Sequence, residues 1–114
     1  MCKVVNELND QDTQAIAKFY ASKKFTPAKQ KFDAEKAKLG KKVQKKCMKC
    51  HTDGGSEPED DAGILAGQWS PYIRQQFKDY SSGERLMTKK MKKKYEKFDE
   101  TDFENLIHYF ASPK

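Results

Sequence analysis

Residues 47–51 read Cys-Met-Lys-Cys-His, and this stretch restricts fold and function more than any other part of the chain. With two residues between them, Cys47 and Cys50 can present both thiols from one helical turn, and His51 follows directly. The pattern C-x-x-C-H is typical of covalent c-type haem, in which each thiol forms a thioether and the histidine binds the iron. Cys47 and Cys50 are therefore predicted to bind haem c, and His51 is predicted to be a metal ligand.

Two other readings of the motif stay open from the sequence. A redox pair of cysteines would also use C-x-x-C, although it gives no reason for the adjacent histidine. A zinc site would need two further ligands, and the rest of the chain offers only Cys2 and His108.

Composition narrows the class of protein. The chain has 114 residues, of which 36% are hydrophobic and 35% charged, and its mean hydropathy is −1.02. Such a chain has little apolar material for a core, so a cofactor that supplies apolar surface is a reasonable expectation. No run approaches the ~20 apolar residues of a membrane span, and the length excludes a large multidomain enzyme. A net charge of +6 suits an acidic partner.

Helical patterns extend over nearly the whole chain, and no stretch alternates like a strand. Asn9 and Asp12 predict the start of one helix, and the residues around Pro27 predict a linker over residues 23–31. A second helix is predicted from about Asp33 towards Cys47, with Gly40 at a close helix packing. The apolar face of the first helix holds three residues: Ile16, Phe19 and Tyr20.

Two more helices are predicted after an acidic loop at residues 52–63. Ser70 as N-cap and Pro71 in the first turn open one helix, which ends near Gly83. Asp99 with Asp102 caps the last helix. The buried face of that helix is predicted to hold Phe103, Leu106, Ile107 and Phe110.

The order of these features resembles class I cytochrome c. The features are the C-x-x-C-H motif after a helix with Gly40, then Leu65-Ala66-Gly67-Gln68, Tyr72, Tyr80, Gly83, Arg85, a methionine and a terminal helix. Residues 33–112 are similar to one domain of the bacterial two-haem cytochromes c and of the haem subunit of flavocytochrome c sulfide dehydrogenase. The resemblance implies an all-α class I cytochrome c fold with an extra N-terminal helix.

The resemblance also implies a domain organisation and further site residues. Residues 1–31 would be a helical extension and linker, and residues 32–114 the haem domain. Similar domains carry a proline at position 63, whose carbonyl orients the proximal imidazole, but this chain has Gly63. In those domains the second iron ligand is a methionine. It lies seven residues before an apolar residue, and that apolar residue directly precedes the N-cap of the last helix. That residue is Phe98, so Met91 is implied as the second metal ligand, with Met87 as the competitor.

The N-terminus repeats the C-terminus at an offset of 90 residues. Nine positions of residues 1–24 match: Met1, Leu8, Asn9, Asp12, Ile16, Phe19, Tyr20, Ala21 and Ser22 stand opposite Met91, Phe98, Asp99, Asp102, Leu106, Tyr109, Phe110, Ala111 and Ser112. The segment resembles the tail of a preceding haem domain, kept as a truncation or as a natural extension. Two ordinary amphipathic helices with similar caps would also give this pattern. The apolar face needs a cover, so a homodimer through this helix or through Cys2 stays open.

These observations predict a function. A haem with two protein ligands on iron has no open position, so the chain is expected to be an electron carrier rather than an enzyme. Covalent haem is normally installed outside the bacterial cytoplasm, so we expect a periplasmic, exported protein whose signal peptide is missing from this sequence. It would transfer single electrons between redox proteins and dock on an acidic partner, with no role for nucleic acid. The alternative is a haem-bearing subunit of a flavoprotein sulfide dehydrogenase or a similar complex.

Overall fold

The fold is all-α, as predicted. The computed structural model describes residues 2–60 and 62–113, with the side chain of Cys2 left out, and these residues contain no strand. The helices of the described residues are α1 (Cys2–Val5), α2 (Asp10–Ala21), α3 (Ala34–Gln44), α4 (Ser70–Ser82), α5 (Lys89–Tyr95) and α6 (Glu100–Ala111), with a short 3-10 helix at Asp53–Gly55. Within the described residues, no helix is long and apolar enough to cross a membrane.

Helices α2, α3 and α6 begin where polar side chains satisfy free backbone N–H groups. The Asn9 side chain accepts from the Asp12 N–H, and the Asp12 carboxylate accepts from the Asn9 N–H, which completes a capping box. Asp33 accepts from the backbone N–H of the third helical residue at 2.9 Å. Asp99 accepts from the Asp102 N–H at 2.8 Å. The predicted starts of α2, α3 and α6 are therefore confirmed.

Helix α3 packs closely on α6, and Gly40 makes this approach possible. A Cβ built at Gly40 would overlap the backbone carbonyl of Asn105 and lie 2.7 Å from the Cβ of Tyr109. The predicted close packing at Gly40 is confirmed. The core beside this crossing consists of Val43, Ile73, Leu106, Ile107, Tyr109 and Phe110.

The start of α4 differs from the prediction by one residue. Ser70 is the first helical residue rather than the N-cap, and Trp69 in the cap position makes no side-chain capping bond. The cap comes instead from Gln30, whose Oε1 accepts from the Ser70 N–H and from the Ser70 hydroxyl, both at 2.8 Å. The other end agrees with the prediction, because Gly83 terminates the helix in the left-handed region, with φ of 83°.

The predicted linker has no regular structure, but it is docked on the segment before α4. The Ala28 N–H donates to the Gly67 carbonyl at 2.8 Å, and the Gln30 Nε2 donates to the Gln68 carbonyl at 2.7 Å. A Cβ at Gly67 would lie 2.6 Å from the Cβ of Pro27. The linker therefore packs tightly over the Leu65–Gln68 segment.

Helix α2 stands apart from this body. None of its residues is buried, and Ile16, Phe19 and Tyr20 are 42%, 55% and 69% exposed. The radius of gyration of the chain is 16.0 Å, larger than the roughly 13 Å expected of a compact chain of this length. The apolar face of α2 is thus uncovered within the described residues. Met1 and the Cys2 thiol, on which the repeat and the disulfide dimer depend, lie outside them.

Candidate functional site

The Cys47–His51 motif forms one turn directly after α3. The Cys47 carbonyl accepts hydrogen bonds from the N–H groups of Cys50 and His51, each at 3.1 Å. Both thiols are free, with Cys47 half-buried and Cys50 exposed. The structure thus brings the two predicted attachment residues and the predicted proximal ligand together in five consecutive residues.

The backbone of His51 is held from two sides. The Gln44 side chain is 2% exposed, and its Nε2 donates to the His51 carbonyl at 2.9 Å. On the other side, the Asp60 carboxylate accepts from the Thr52 N–H at 2.7 Å and from the Thr52 hydroxyl at 2.9 Å. Sequence reasoning missed these three supporting residues, because nothing in their local pattern marks them.

The His51 ring is in a state suited to metal binding. Burial lowers the pKa of its imidazole, and the negative charge of Asp60 opposes this shift. The neutral ring, which is the form that coordinates iron, is therefore favoured at neutral pH. Among residues 2–60 and 62–113 the ring makes no hydrogen bond, so the contact that the resemblance implies with the Gly63 carbonyl is not formed.

His108 has a different environment and a structural role. Its Nδ1 accepts from the Asp33 N–H at 3.0 Å, and its Nε2 lies 3.2 Å from a carboxylate oxygen of Glu104. Both ring nitrogens are thus engaged between α3 and α6. His108 therefore joins the two helices, and both of its ring nitrogens already have protein partners.

Helix α5 lies next to the cysteine motif, although the sequence pattern did not reveal this helix. Burial raises the pKa of the Cys47 thiol, and the positive charges of Lys94 and Lys46 oppose the rise. Lys46 also places its Nζ 5.3 Å from the centroid of the Phe98 ring, just after α5. Lysines fill five of the seven positions of α5, so no apolar period was visible.

Both candidate methionines lie on this side of the fold. Met91 is half-buried in the first turn of α5, where its N–H donates to the Thr88 hydroxyl at 3.2 Å. Met87 is half-buried in the preceding loop and lines a groove of about 440 Å³ with Tyr80 and Phe98. Burial does not choose between them, so Met91 stays a prediction from the resemblance.

A set of partly buried apolar side chains forms a wall on the core. Leu65, Phe77, Phe98 and Phe103 are only partly buried and pack against the core. The loop after His51 lies tightly on this wall, since a Cβ at Gly55 would be 3.1 Å from the Leu65 Cβ. Two free thiols, an unengaged neutral imidazole and half-exposed aromatic side chains fit a covalently attached haem, which needs these donors and an apolar contact surface.

Comparison with known proteins supports the same assignment. No protein-family model and no curated protein matches the chain. Among solved structures, the chain is similar to reduced recombinant cytochrome c4 from Pseudomonas stutzeri, with a TM-score of 0.75 and 28% sequence identity. The match covers 95% of this chain and 63% of that chain, so this sequence spans less than two thirds of the cytochrome's length.

This likeness confirms two predictions. The chain has the all-α fold of a class I c-type cytochrome domain, and it resembles the bacterial cytochromes c as the sequence implied. The positions of Cys47 and Cys50 are consistent with a C-x-x-C-H attachment site.

Proposed function

We propose that this chain, with its class I c-type cytochrome fold, is a one-haem periplasmic carrier that transfers single electrons between redox proteins. The observation that carries the proposal is the turn of residues 47–51, which combines two free thiols with a neutral, unengaged imidazole in a cytochrome c fold. When bound, the haem supplies an iron that takes up and releases one electron.

The residues of the chain then have distinct tasks. Cys47 and Cys50 would attach the porphyrin through thioethers, and His51 and Met91 would be the protein ligands of the iron. Gln44 holds the backbone of His51 from the buried side and keeps the proximal ligand in place. With two protein ligands on the iron, substrate chemistry at the metal would be disfavoured and single-electron transfer would remain.

Met91→Ala is expected to remove the weak sulfur-to-iron band at the red end of the oxidised visible spectrum. It should also lower the reduction potential, since a methionine ligand raises the potential of a c-type haem. Visible spectroscopy and a redox titration measure both effects. Met87→Ala is the matched control, because Met87 is equally half-buried four residues away, and it should leave both nearly unchanged. The reverse result would assign the iron ligand to Met87.

A surface of eight lysines surrounds the site and suits docking to an acidic face of a redox protein. All eight are exposed. Lys94 and Lys46 act electrostatically on Cys47, so these two ends of the surface meet at the attachment turn. Complementary charge mainly accelerates encounter, and a weak interface still allows release after electron transfer. The lysine surface consists of Lys45, Lys46, Lys49, Lys89, Lys90, Lys92, Lys93 and Lys94.

Replacing Lys90 and Lys93 with glutamate is expected to slow electron transfer to an acidic redox protein at low salt. Neither lysine takes part in an ion pair among the described residues, whereas Lys92 lies 3.7 Å from Glu96. Electron transfer from the unmodified protein should also slow as salt rises, because the screening length shortens to about 8 Å at physiological ionic strength. Stopped-flow absorbance measures both rates.

The control is the same change of charge placed elsewhere on the molecule. Lys3 and Lys18 are exposed on α1 and α2, and their joint replacement with glutamate should leave the rate close to that of the unmodified protein. Equal slowing by both pairs would show a general charge effect. An electron-transfer rate that changes neither with salt nor with either pair of replacements would show that the lysine surface is not the docking site.

A further inference from the structure

One tyrosine joins the C-terminal end of the methionine-bearing segment to the rest of the fold. The Tyr95 hydroxyl, at the end of α5, donates to the Phe77 carbonyl in α4 at 2.6 Å. The Ser81 hydroxyl lies 3.0 Å from the Tyr95 hydroxyl oxygen and can donate to it. Tyr95 is only 9% exposed, whereas Ser81 is exposed, so the bond to the Phe77 carbonyl is the better shielded of the two and its loss is unfavourable.

Aromatic packing adds to this attachment. The Tyr95 ring centroid is 4.6 Å from that of Phe103 in α6 and 5.8 Å from that of Tyr80 in α4. The Phe77 ring lies 6.2 Å away. Such tilted and edge-on contacts stabilise aromatic clusters beyond the area they bury. Tyr95 therefore joins α5 to both neighbouring helices.

These contacts anchor the chain segment that contains the candidate ligand Met91. The chain leaves α4 after Ser82 and returns to it at Tyr95, so the segment 82–94 is anchored at both ends. Met91 lies inside this segment, one helical turn before Tyr95, and its N–H is held by Thr88. Residues four apart on a helix lie on the same face, and Met91 and Tyr95 belong to the same short helix, so a shift of the Tyr95 end is expected to move Met91.

We propose that Tyr95 is a positioning residue that keeps Met91 on the iron by holding the segment 82–94 against α4. The inference rests on the proposed function, in which Met91 is the second iron ligand. A tethered ligand competes with external ligands through its effective concentration at the metal. Loss of the Tyr95 hydroxyl frees the end of the segment and lowers that effective concentration, while the porphyrin stays attached at Cys47 and Cys50.

The experiment is a titration of the oxidised haem protein with imidazole, which competes with Met91 for the iron. Tyr95→Phe keeps the ring and removes the hydroxyl, and it should raise the apparent imidazole affinity about fivefold, the equivalent of one lost hydrogen bond. The control is Tyr80→Phe, because the Tyr80 ring contacts Tyr95 but its hydroxyl has no hydrogen-bond partner among the described residues. Tyr80→Phe should leave the affinity unchanged.

A double variant tests the role of Tyr95 separately from the assignment of Met91 as the iron ligand. Met91→Ala should bind imidazole much more tightly, and adding Tyr95→Phe to it should change nothing further. If Met91→Ala leaves the affinity unchanged, the ligand assignment in the proposed function is wrong. If Met91→Ala acts as expected but Tyr95→Phe does not, or acts equally without Met91, the positioning role is overturned.

A second variant keeps the test valid if Tyr95→Phe fails to fold. Ser81→Ala removes only the weaker of the two partners and leaves the bond from Tyr95 to the Phe77 carbonyl. It should raise the imidazole affinity by a smaller factor, about twofold. With Tyr95→Phe lost, an unchanged affinity in Ser81→Ala would overturn the positioning role.

Discussion

Intact mass spectrometry of the denatured protein is expected to give the mass of the polypeptide plus one haem. The protein should be produced in cells that attach c-type haem. Thioethers at Cys47 and Cys50 survive acid and solvent, whereas the bonds from His51 and Met91 to iron do not. A mass equal to the bare polypeptide would overturn the proposed function, and a mass with two haems would contradict a one-haem carrier.

Variants of the motif assign the individual bonds. Replacing Cys47 and Cys50 together with alanine should abolish covalent haem, whereas Met48→Ala, at the exposed position between them, should retain it. His51→Ala removes the proximal ligand but neither thiol, so the low-spin spectrum should be lost even where haem stays attached. Low-spin haem in His51→Ala would show that another group occupies the proximal side.

Gly40→Ala is expected to lower the free energy of unfolding by at least about 2 kcal/mol. The added Cβ would overlap the Asn105 carbonyl and crowd the Tyr109 Cβ, and overlap with backbone places the cost at or above the upper end of the usual range for overpacking, about 3 kcal/mol. The contact is with backbone of α6, so neither helix can relieve it by turning a side chain. The better helix propensity of alanine returns only about 1 kcal/mol.

Thermal unfolding of the haem-bearing protein measures the effect. For a chain of this size we expect the midpoint to fall by at least about 8 °C. Gly63→Ala is the control, since a Cβ there meets nothing within 4 Å and the change should stay within about 0.5 kcal/mol. Equal midpoints for Gly40→Ala and the unmodified protein would contradict the close crossing of α3 and α6.

The features that were predictable from the sequence are those whose signals are local. The caps at Asn9 and Asp99 need only a side chain and a backbone N–H three residues later, so their pattern is readable in the sequence. The attachment motif is local in the same sense, because its hydrogen bonds run among Cys47, Cys50 and His51. Gly40 was readable because a glycine within a helical pattern weakens the helix unless close packing compensates.

The features that were missed depend on distant partners. The start of α4 was wrong by one residue because its cap is the amide of Gln30, which comes from the linker. Helix α5 was missed because tertiary contacts of Tyr95, rather than an apolar period, stabilise it. The support of His51 by Gln44 was hidden because a buried glutamine has no distinctive sequence pattern. The choice between Met87 and Met91 depends on where a loop lies relative to the haem, which local patterns do not specify.

The crossing of Gly40 and Asn105 also has a kinetic consequence. It joins residues far apart in sequence, so folding must bring the two ends of a long chain segment together before α3 and α6 gain any contact. Individual helices form in about a microsecond or less, and domains rich in such non-local contacts fold more slowly than bundles of sequential helices. We therefore expect the arrival of α6 on α3, rather than helix formation, to limit the rate at which this core assembles.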